Sequence, residues 1–282
     1  MKKSPLDPVA PDSGDTVYAA SGDARYADSG DAVPFGAIDV PAAEKVGRVR
    51  AVFDSVAARY DVMNDLMSGG LHRLWKAAAV DWLRPRANHR IIDVAGGTAD
   101  IARRIAHAAG GPEAIAAAGG RLTVIDINPS MMAVGQERVA HAGLADTIAF
   151  ACADAEALPL KDASVDICVI AFGLRNVTRP QKALSEARRV LAPGGRYLCL
   201  EFSRPRWPLL GPVYDTYSDH VLPWLGDKVA GDAESYRYLA ESIRRFPDQE
   251  TLAAMMATAG FEQIRVRNLA GGIAALHSGW VI

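Results

Sequence analysis

A doubly wound α/β fold, with a mostly parallel seven-stranded sheet and a C-terminal antiparallel hairpin, is what the sequence predicts. Three observations carry it. A strand-like run at 90–94 passes through a small-residue turn, Ala95-Gly96-Gly97-Thr98-Ala99, into a helix start. Apolar runs and helical periodicity then alternate to about residue 202, as they do when helices cover both faces of a parallel sheet. Two further strand-like runs, 261–268 and 273–282, are joined at Gly271-Gly272, as in a hairpin.

In chain order, residues 1–42 are rich in Asp, Ser, Gly, Ala and Pro, with Ser-Gly-Asp recurring at Ser13, Ser21 and Ser29. Such a segment buries too little apolar surface to offset its ordering entropy. It is expected to be a disordered tail, with one domain over 43–282. Val46, Val49, Phe53, Val56 and Tyr60 fall at helical spacing and predict a helix to about residue 58. Leu71, Leu74, Trp75, Ala78 and Trp82 give a second apolar stripe, so residues 43–82 read as a helical cap on the sheet edge. A helix follows Thr98, and the Ala/Gly-rich stretch 110–120 reads as a surface loop. Pro129 opens the next helix where proline is best tolerated. Residues 148–152 form a strand, and Val165–Phe172 is apolar almost throughout, as in a strand buried on both faces. A helix over 180–191 stops at Pro193-Gly194-Gly195, and 196–202 is the fifth strand. Residues 204–247, rich in Trp, Tyr, Pro and Leu, form a helical insertion.

Composition narrows the class. The 282 residues, half of them hydrophobic, suffice for one large domain. A formal charge of −2 gives no general attraction to nucleic acid. Cys152, Cys168 and Cys199 lie in apolar runs and read as buried thiols, with neither metal spacing nor a disulfide pattern. A reducing, cytoplasmic setting fits. No run has the length of a membrane span, and the first residues lack the apolar segment of a signal peptide.

In an open α/β sheet a ligand binds at the carboxyl ends of the strands. Gly96 and Gly97 let the backbone approach it, Thr98 or Asp100 can cap the helix, and Asp126, ending the next strand, can accept from two ribose hydroxyls. A dinucleotide fingerprint would carry a third glycine. Here Asp93 precedes the turn instead, which suits a ligand with an ammonium group and no phosphate, the shape of S-adenosylmethionine (SAM). The turn alone leaves other α/β ligands open, a nicotinamide dinucleotide among them.

A longer signal lies upstream. The string Val52-Phe-Asp-Ser-Val-Ala-Ala-Arg-Tyr-Asp-Val-Met-Asn-Asp-Leu-Met-Ser-Gly-Gly-Leu-His-Arg-Leu-Trp-Lys76 resembles the N-terminal signature of the ubiquinone/menaquinone biosynthesis C-methyltransferases. The likeness continues at 93–98, at Phe172-Gly-Leu-Arg-Asn-Val177, at 242–247 and at 268–280, and so spans about 43–282. It implies a SAM-dependent enzyme of the class I fold, in which Thr98 lies against the methionine part and Asp126 meets the ribose. Asp154 would accept from the adenine amino group, and the Ala155 N–H would face a ring nitrogen. Ala99 and Ala171 depart from the family pattern. The methyl at Ala99 costs little if φ is negative, as expected in a first helical turn.

The implied reaction is methyl transfer to a ring carbon of a polyprenylated hydroquinone, a demethylmenaquinol or a methoxy-polyprenyl-benzoquinol. Arg175 and Asn176 are the expected catalytic residues, Arg175 stabilising a phenolate or orienting a water, since arginine stays protonated. The competing reading is a salt-bridged loop. Tyr60, Asn64 and His72, with Asp61, are candidate ring contacts, and for His72 a satisfied structural role competes. The lipid tail of the acceptor calls for peripheral contact on the inner membrane face, with Trp207–Tyr214 and Val221–Leu225 as candidate docking groups. A homodimer or a quinone-biosynthesis complex is the competing use of that surface. A methyltransferase acting on a soluble small molecule, an NAD-linked oxidoreductase and a SAM-binding scaffold without turnover stay open as rival functions.

Overall fold

The computed structural model describes residues 16–17, 32–57, 60–206 and 233–282. Strand β4 (Arg90–Val94) opens a run of parallel strands: β5 (Arg121–Asp126), β6 (Ile148–Cys152), β7 (Val165–Ala171) and β8 (Leu191–Phe202). β9 (Glu262–Leu269) and β10 (Ala274–Trp280) complete the seven strands expected, and β10 lies antiparallel between β8 and β9. A two-residue strand, β1 (Thr16–Val17), adds to the outer edge of β9, giving the order β1-β9-β10-β8-β7-β4-β5-β6. The chain steps outward from β4 to β6 and returns to place β7 on the other side of β4. The carboxyl ends of β4 and β7 therefore flank the switch point, where a doubly wound sheet opens a crevice.

Side chains along the strands alternate between two cores, as pleating requires. Ile91, Val124, Ile167, Val169 and Leu198 pack on one face with α1 (Ala42–Val56), α3 (His72–Leu83), α4 (Asp100–Ala108) and α8 (Ala233–Arg245). Ile92, Ile125, Cys168, Ile170 and Tyr197 pack on the other with α7 (Pro180–Val190) and α9 (Gln249–Thr258). Burial on both faces is why the central strands read as continuous apolar runs.

Four expectations need correction. Residues 32–41, assigned to the tail, form a hairpin of β2 (Ala32–Phe35) and β3 (Ile38–Pro41) that packs on α1 and α8. The segment Ala32-Val-Pro-Phe-Gly-Ala-Ile-Asp-Val-Pro41 is largely apolar, but Pro34, Gly36 and Asp39 interrupt any strand-length run and it adjoins the Ser/Gly/Asp-rich residues before it. Residues 110–120 are a helix, α5 (Gly111–Ala118), with Ile115 buried and Gly119 left-handed (φ 70°) at its end. Alanine is the best helix former and glycine a preferred terminator, so the composition that suggested a loop sustains a helix. On α3 the buried face is rotated: Leu74 is 67% exposed, while Trp75 is buried against Phe172 and Phe202. Of the three cysteines, Cys168 and Cys199 are buried, but Cys152, ending edge strand β6, is exposed. Trp207–Tyr214 and Val221–Leu225 lie outside the described residues. No helix among the described residues is long and apolar enough to cross a membrane.

Candidate active site

The crevice over the tips of β4, β5 and β7 has a volume of about 1030 Å³ and is open to solvent. Its floor is the β4–α4 turn. Asp93, 1% exposed, turns its Oδ2 onto the N–H of Ala102 (3.1 Å), the third residue of α4. No side chain of the helix itself caps it. The cap expected of Thr98 or Asp100 is thus supplied from the preceding strand. The return path passes so close to Asp93 that a Cβ on Gly96 would stand 2.8 Å from its carboxyl carbon. Ala99 is then forced to a φ of 60°, against the negative value expected. That backbone costs an alanine about 1–2 kcal/mol.

Three carboxylates line the floor and one side. Burial pushes Asp93 up to about 8, with Asp126 and Asp100 adding to the Ala102-opposed shift and Lys76 resisting it. Its Oδ1 has no hydrogen-bond partner among the described residues. Asp126 accepts from the Gly97 N–H at Oδ2 (2.9 Å) and from the Asn128 N–H at Oδ1 (2.8 Å). Asp154 accepts from the Glu156 N–H (2.9 Å), which turns the loop so that Ala153, Asp154 and Ala155 all face the crevice. Gly96, Gly97 and Thr98 line it beside them. All seven residues expected to meet the cofactor therefore share one wall.

The roof was not foreseen. Val46, Val49, Arg50 and Phe53 of α1 close over the crevice. Lys45 donates to the Val177 carbonyl (2.8 Å) on one lip, and Arg50 donates to the Ile127 carbonyl (2.6 Å) on the other. Asn128 adds a bond to Asp54 (3.0 Å). Burial lowers Lys45 to about 8. Helical spacing gave the apolar face of α1 but nothing in it says what that face covers. Lys76 and Asp100 also line the crevice, joined at 2.9 Å. Against its burial, Lys76 and Arg104 hold Asp100 down at about 2.

The two expected catalytic residues separate. Asn176 lines the crevice with Phe172, Gly173 and Val177. Arg175 does not line it as bounded by the described residues. Its side chain is 1% exposed, and Nη1 donates to Glu201 Oε1 (2.6 Å) and to the Phe172 carbonyl (2.8 Å). The guanidinium thus pairs through Nη1 with Glu201, the salt-bridged arrangement that competed with a direct role, and burial pushes the Glu201 carboxyl up against the pull of Arg175. Of the cap residues, Tyr60 begins α2 (Tyr60–Ser68), its side chain lying outside the described residues. Asn64 and His72 are buried within the cap and do not line the crevice. His72 bonds Asp65 at 2.9 Å, the satisfied structural role, and burial lowers its pKa.

The residues present fit a SAM molecule. An unpartnered buried carboxylate oxygen at Asp93 matches an ammonium, and Asp126 keeps lone pairs for a diol. Because Asp93 already accepts from the Ala102 N–H, one of the helix N-terminal donors that would cradle a pyrophosphate is taken. That disfavours a dinucleotide. Among the described residues no His/Cys/Asp/Glu group could hold a metal ion.

Comparisons with known proteins agree with this geometry. The model of the ubiE/COQ5 methyltransferase family matches residues 42–281. The ubiquinone/menaquinone biosynthesis C-methyltransferase UbiE of Methylobacterium nodulans is 57% identical over 250 residues, covering 88% of this chain and 96% of the relative. That of Acidiphilium cryptum is 55% identical over 248 residues, with the same two coverages. Among solved structures, a SAM-dependent methyltransferase from Thermotoga maritima superposes with a TM-score of 0.56 at 20% identity, covering 83% of this chain and 100% of that one. One from Aquifex aeolicus gives 0.55 at 16%, covering 81% and 98%. These two are likenesses of fold.

Two outcomes follow from the buried acids. Asp93 holds its proton in the free protein up to about pH 8, whereas an ammonium ligand pairs with the ionised form. SAM binding should therefore release a proton, and its affinity should rise about tenfold per unit up to about pH 7 and level off as Asp93 and the ligand's α-ammonium titrate near 8. Calorimetry in buffers of different ionisation enthalpy measures both; a flat profile sinks the assignment. Arg175→Ala leaves Glu201 buried without its cation and should cost about 3–5 kcal/mol in chemical denaturation. Arg175→Met combined with Glu201→Leu should recover most of that loss.

Proposed function

The chain belongs to the ubiE/COQ5 methyltransferase family, and from that premise we propose that it methylates a ring carbon of a polyprenylated hydroquinone, with SAM as methyl donor. Demethylmenaquinol and a 2-methoxy-6-polyprenyl-1,4-benzoquinol are the acceptors this reading names, in ubiquinone and menaquinone biosynthesis. The observation that carries it is the acid-capped turn: Asp93, Gly96 and Gly97 at the switch point, with a carboxylate oxygen left over for a cationic ligand.

SAM bound there supplies an electrophilic methyl group on a sulfonium sulfur. The side chains of Asp93, Asp126 and Asp154, with the Ala155 N–H, would hold its ammonium, ribose and adenine. The opposite wall, Phe172 to Thr178, is left for the acceptor. A ring carbon becomes a competent nucleophile when the neighbouring phenol ionises, and the Asn176 amide can donate to that oxygen. The carbon–methyl bond would form as the methyl–sulfur bond breaks, leaving S-adenosylhomocysteine, and the phenol and ring protons would pass to water in the solvent-open crevice. Fixed geometry between the two reactants supplies the acceleration. Arg175 takes no proton, being buried, paired and always charged.

Transfer of a labelled methyl from SAM should appear on a ring carbon of the reduced prenyl quinols and fail with the same rings oxidised. Equal labelling of the oxidised quinones, or labelling of a catechol oxygen in preference, would count against the reading. A lipid acceptor also calls for peripheral contact with the bilayer. The protein should therefore float with liposomes; remaining at the bottom of the gradient at every lipid content refutes that part.

A further inference from the structure

The β2–β3 hairpin precedes the residues matched by the family, yet it connects to the crevice wall through Tyr238. Phe35 stacks on Tyr238 of α8, with ring centroids 4.5 Å apart and planes at 29°. On either side of that stack the hairpin clasps the helix. Arg245 donates to the Ile38 carbonyl (2.9 Å) and to Asp39 Oδ1 (2.7 Å), and the Ala37 N–H donates to Glu241 Oε2 (2.9 Å). Tyr238 is 5% exposed, and its hydroxyl donates to Asn176 Oδ1 at 3.2 Å. Burial raises the phenol well above its usual range, so it keeps the proton it donates.

An asparagine amide can be turned over with almost no change of shape, exchanging donor and acceptor. At Asn176 the two ends are distinguished: Nδ2 donates to the Phe172 carbonyl (3.4 Å), and Oδ1 receives the Tyr238 hydroxyl. The Phe172 carbonyl can only accept, so it sets which end is Nδ2; the Tyr238 hydroxyl, able to donate or accept, then donates to Oδ1 and pins the far end of the amide. The second Nδ2 hydrogen is left over for an oxygen bound beside Asn176 in the crevice. We propose that Tyr238 is a positioning residue for methyl transfer: its hydroxyl anchors the Asn176 amide in the crevice wall, in the orientation the Phe172 carbonyl sets, while the β2–β3 hairpin holds the phenol in place. This rests on the reading of Asn176 given above.

A double-mutant cycle tests it on the full-length protein, with kcat, KM for the quinol, SAM affinity by calorimetry, and Tm measured for each variant. Asn176→Ala should lower kcat strongly. Tyr238→Phe should lower kcat about tenfold in the wild-type background, the order expected for a lost orienting hydrogen bond. SAM affinity and Tm should stay unchanged. On the Asn176→Ala background the same substitution should change kcat by less than about twofold, and Phe35→Leu should show the same dependence on background. Wild-type kcat in Tyr238→Phe, or an equal loss in both backgrounds, overturns the positioning role alone. Wild-type kcat in Asn176→Ala overturns the reading of Asn176 and this inference together.

Discussion

The contact on which the site depends is the one between the Asp93 carboxylate and the Ala102 N–H. A helix leaves its first N–H groups without partners, and in this fold those groups face the ligand. By sending an acid from the strand tip to the third of them, the chain closes the position a phosphate would take. It also leaves one carboxylate oxygen for a cation. The cost is local: Gly96 has no room for a side chain, and Ala99 is pressed into the left-handed region. One acid thus reverses the polarity of ligand that the turn accepts.

Much of this was legible before any coordinates. The Asp93–Gly96–Gly97 turn, and Asp126 and Asp154 as strand-end acids, are local features whose spacing fixes where they fall once the strand order is known. The continuous apolar strands and the Gly-Gly hairpin predicted a doubly wound sheet with an antiparallel end, and its strand order was what the family resemblance implied. What stayed hidden depended on contacts between distant segments. Leu74 and Trp75 are neighbours in sequence, and periodicity could not say which of them the Phe172–Phe202 pair would bury. Arg175 and Asn176 are adjacent and polar, and only the position of Glu201, on the next strand, sends one inward and leaves the other on the wall. The hairpin at 32–41 was masked because Pro34, Gly36 and Asp39 break its apolar residues into pieces shorter than a strand, directly after a Ser/Gly/Asp-rich segment.

Arg175 and Glu201 do more than neutralise one another. Phe172 has a φ of 57°, a backbone that a bulky side chain rarely adopts. Its N–H is held by the Leu200 carbonyl (2.8 Å), and its own carbonyl receives both the Arg175 guanidinium and the Asn176 amide. The guanidinium also lies over the Phe202 ring at 5.4 Å. Strain of about 1–3 kcal/mol persists only where surroundings over-determine it, and here they do. The ion pair therefore reaches the crevice through Phe172, which lines it, without facing it.

On the proposed function, the donor and acceptor walls would come from different parts of the chain. The donor wall is made by strand tips of the sheet, which the fold fixes. The acceptor wall is the loop after β7, backed by α8 and, beyond it, by the hairpin. Methyl transfer needs the two reacting atoms within near-attack distance, so the walls must hold a constant separation. They meet where Gly173 packs on Ala95: a Cβ at 173 would stand 2.5 Å from the Ala95 Cβ, although its φ of −114° would suit any residue. The glycine is thus required for close approach and not for backbone freedom. A methyl group there would spread the two turns apart and carry Phe172 and Asn176 away from the Asp93 turn, which separates the reactants without altering either wall's own chemistry.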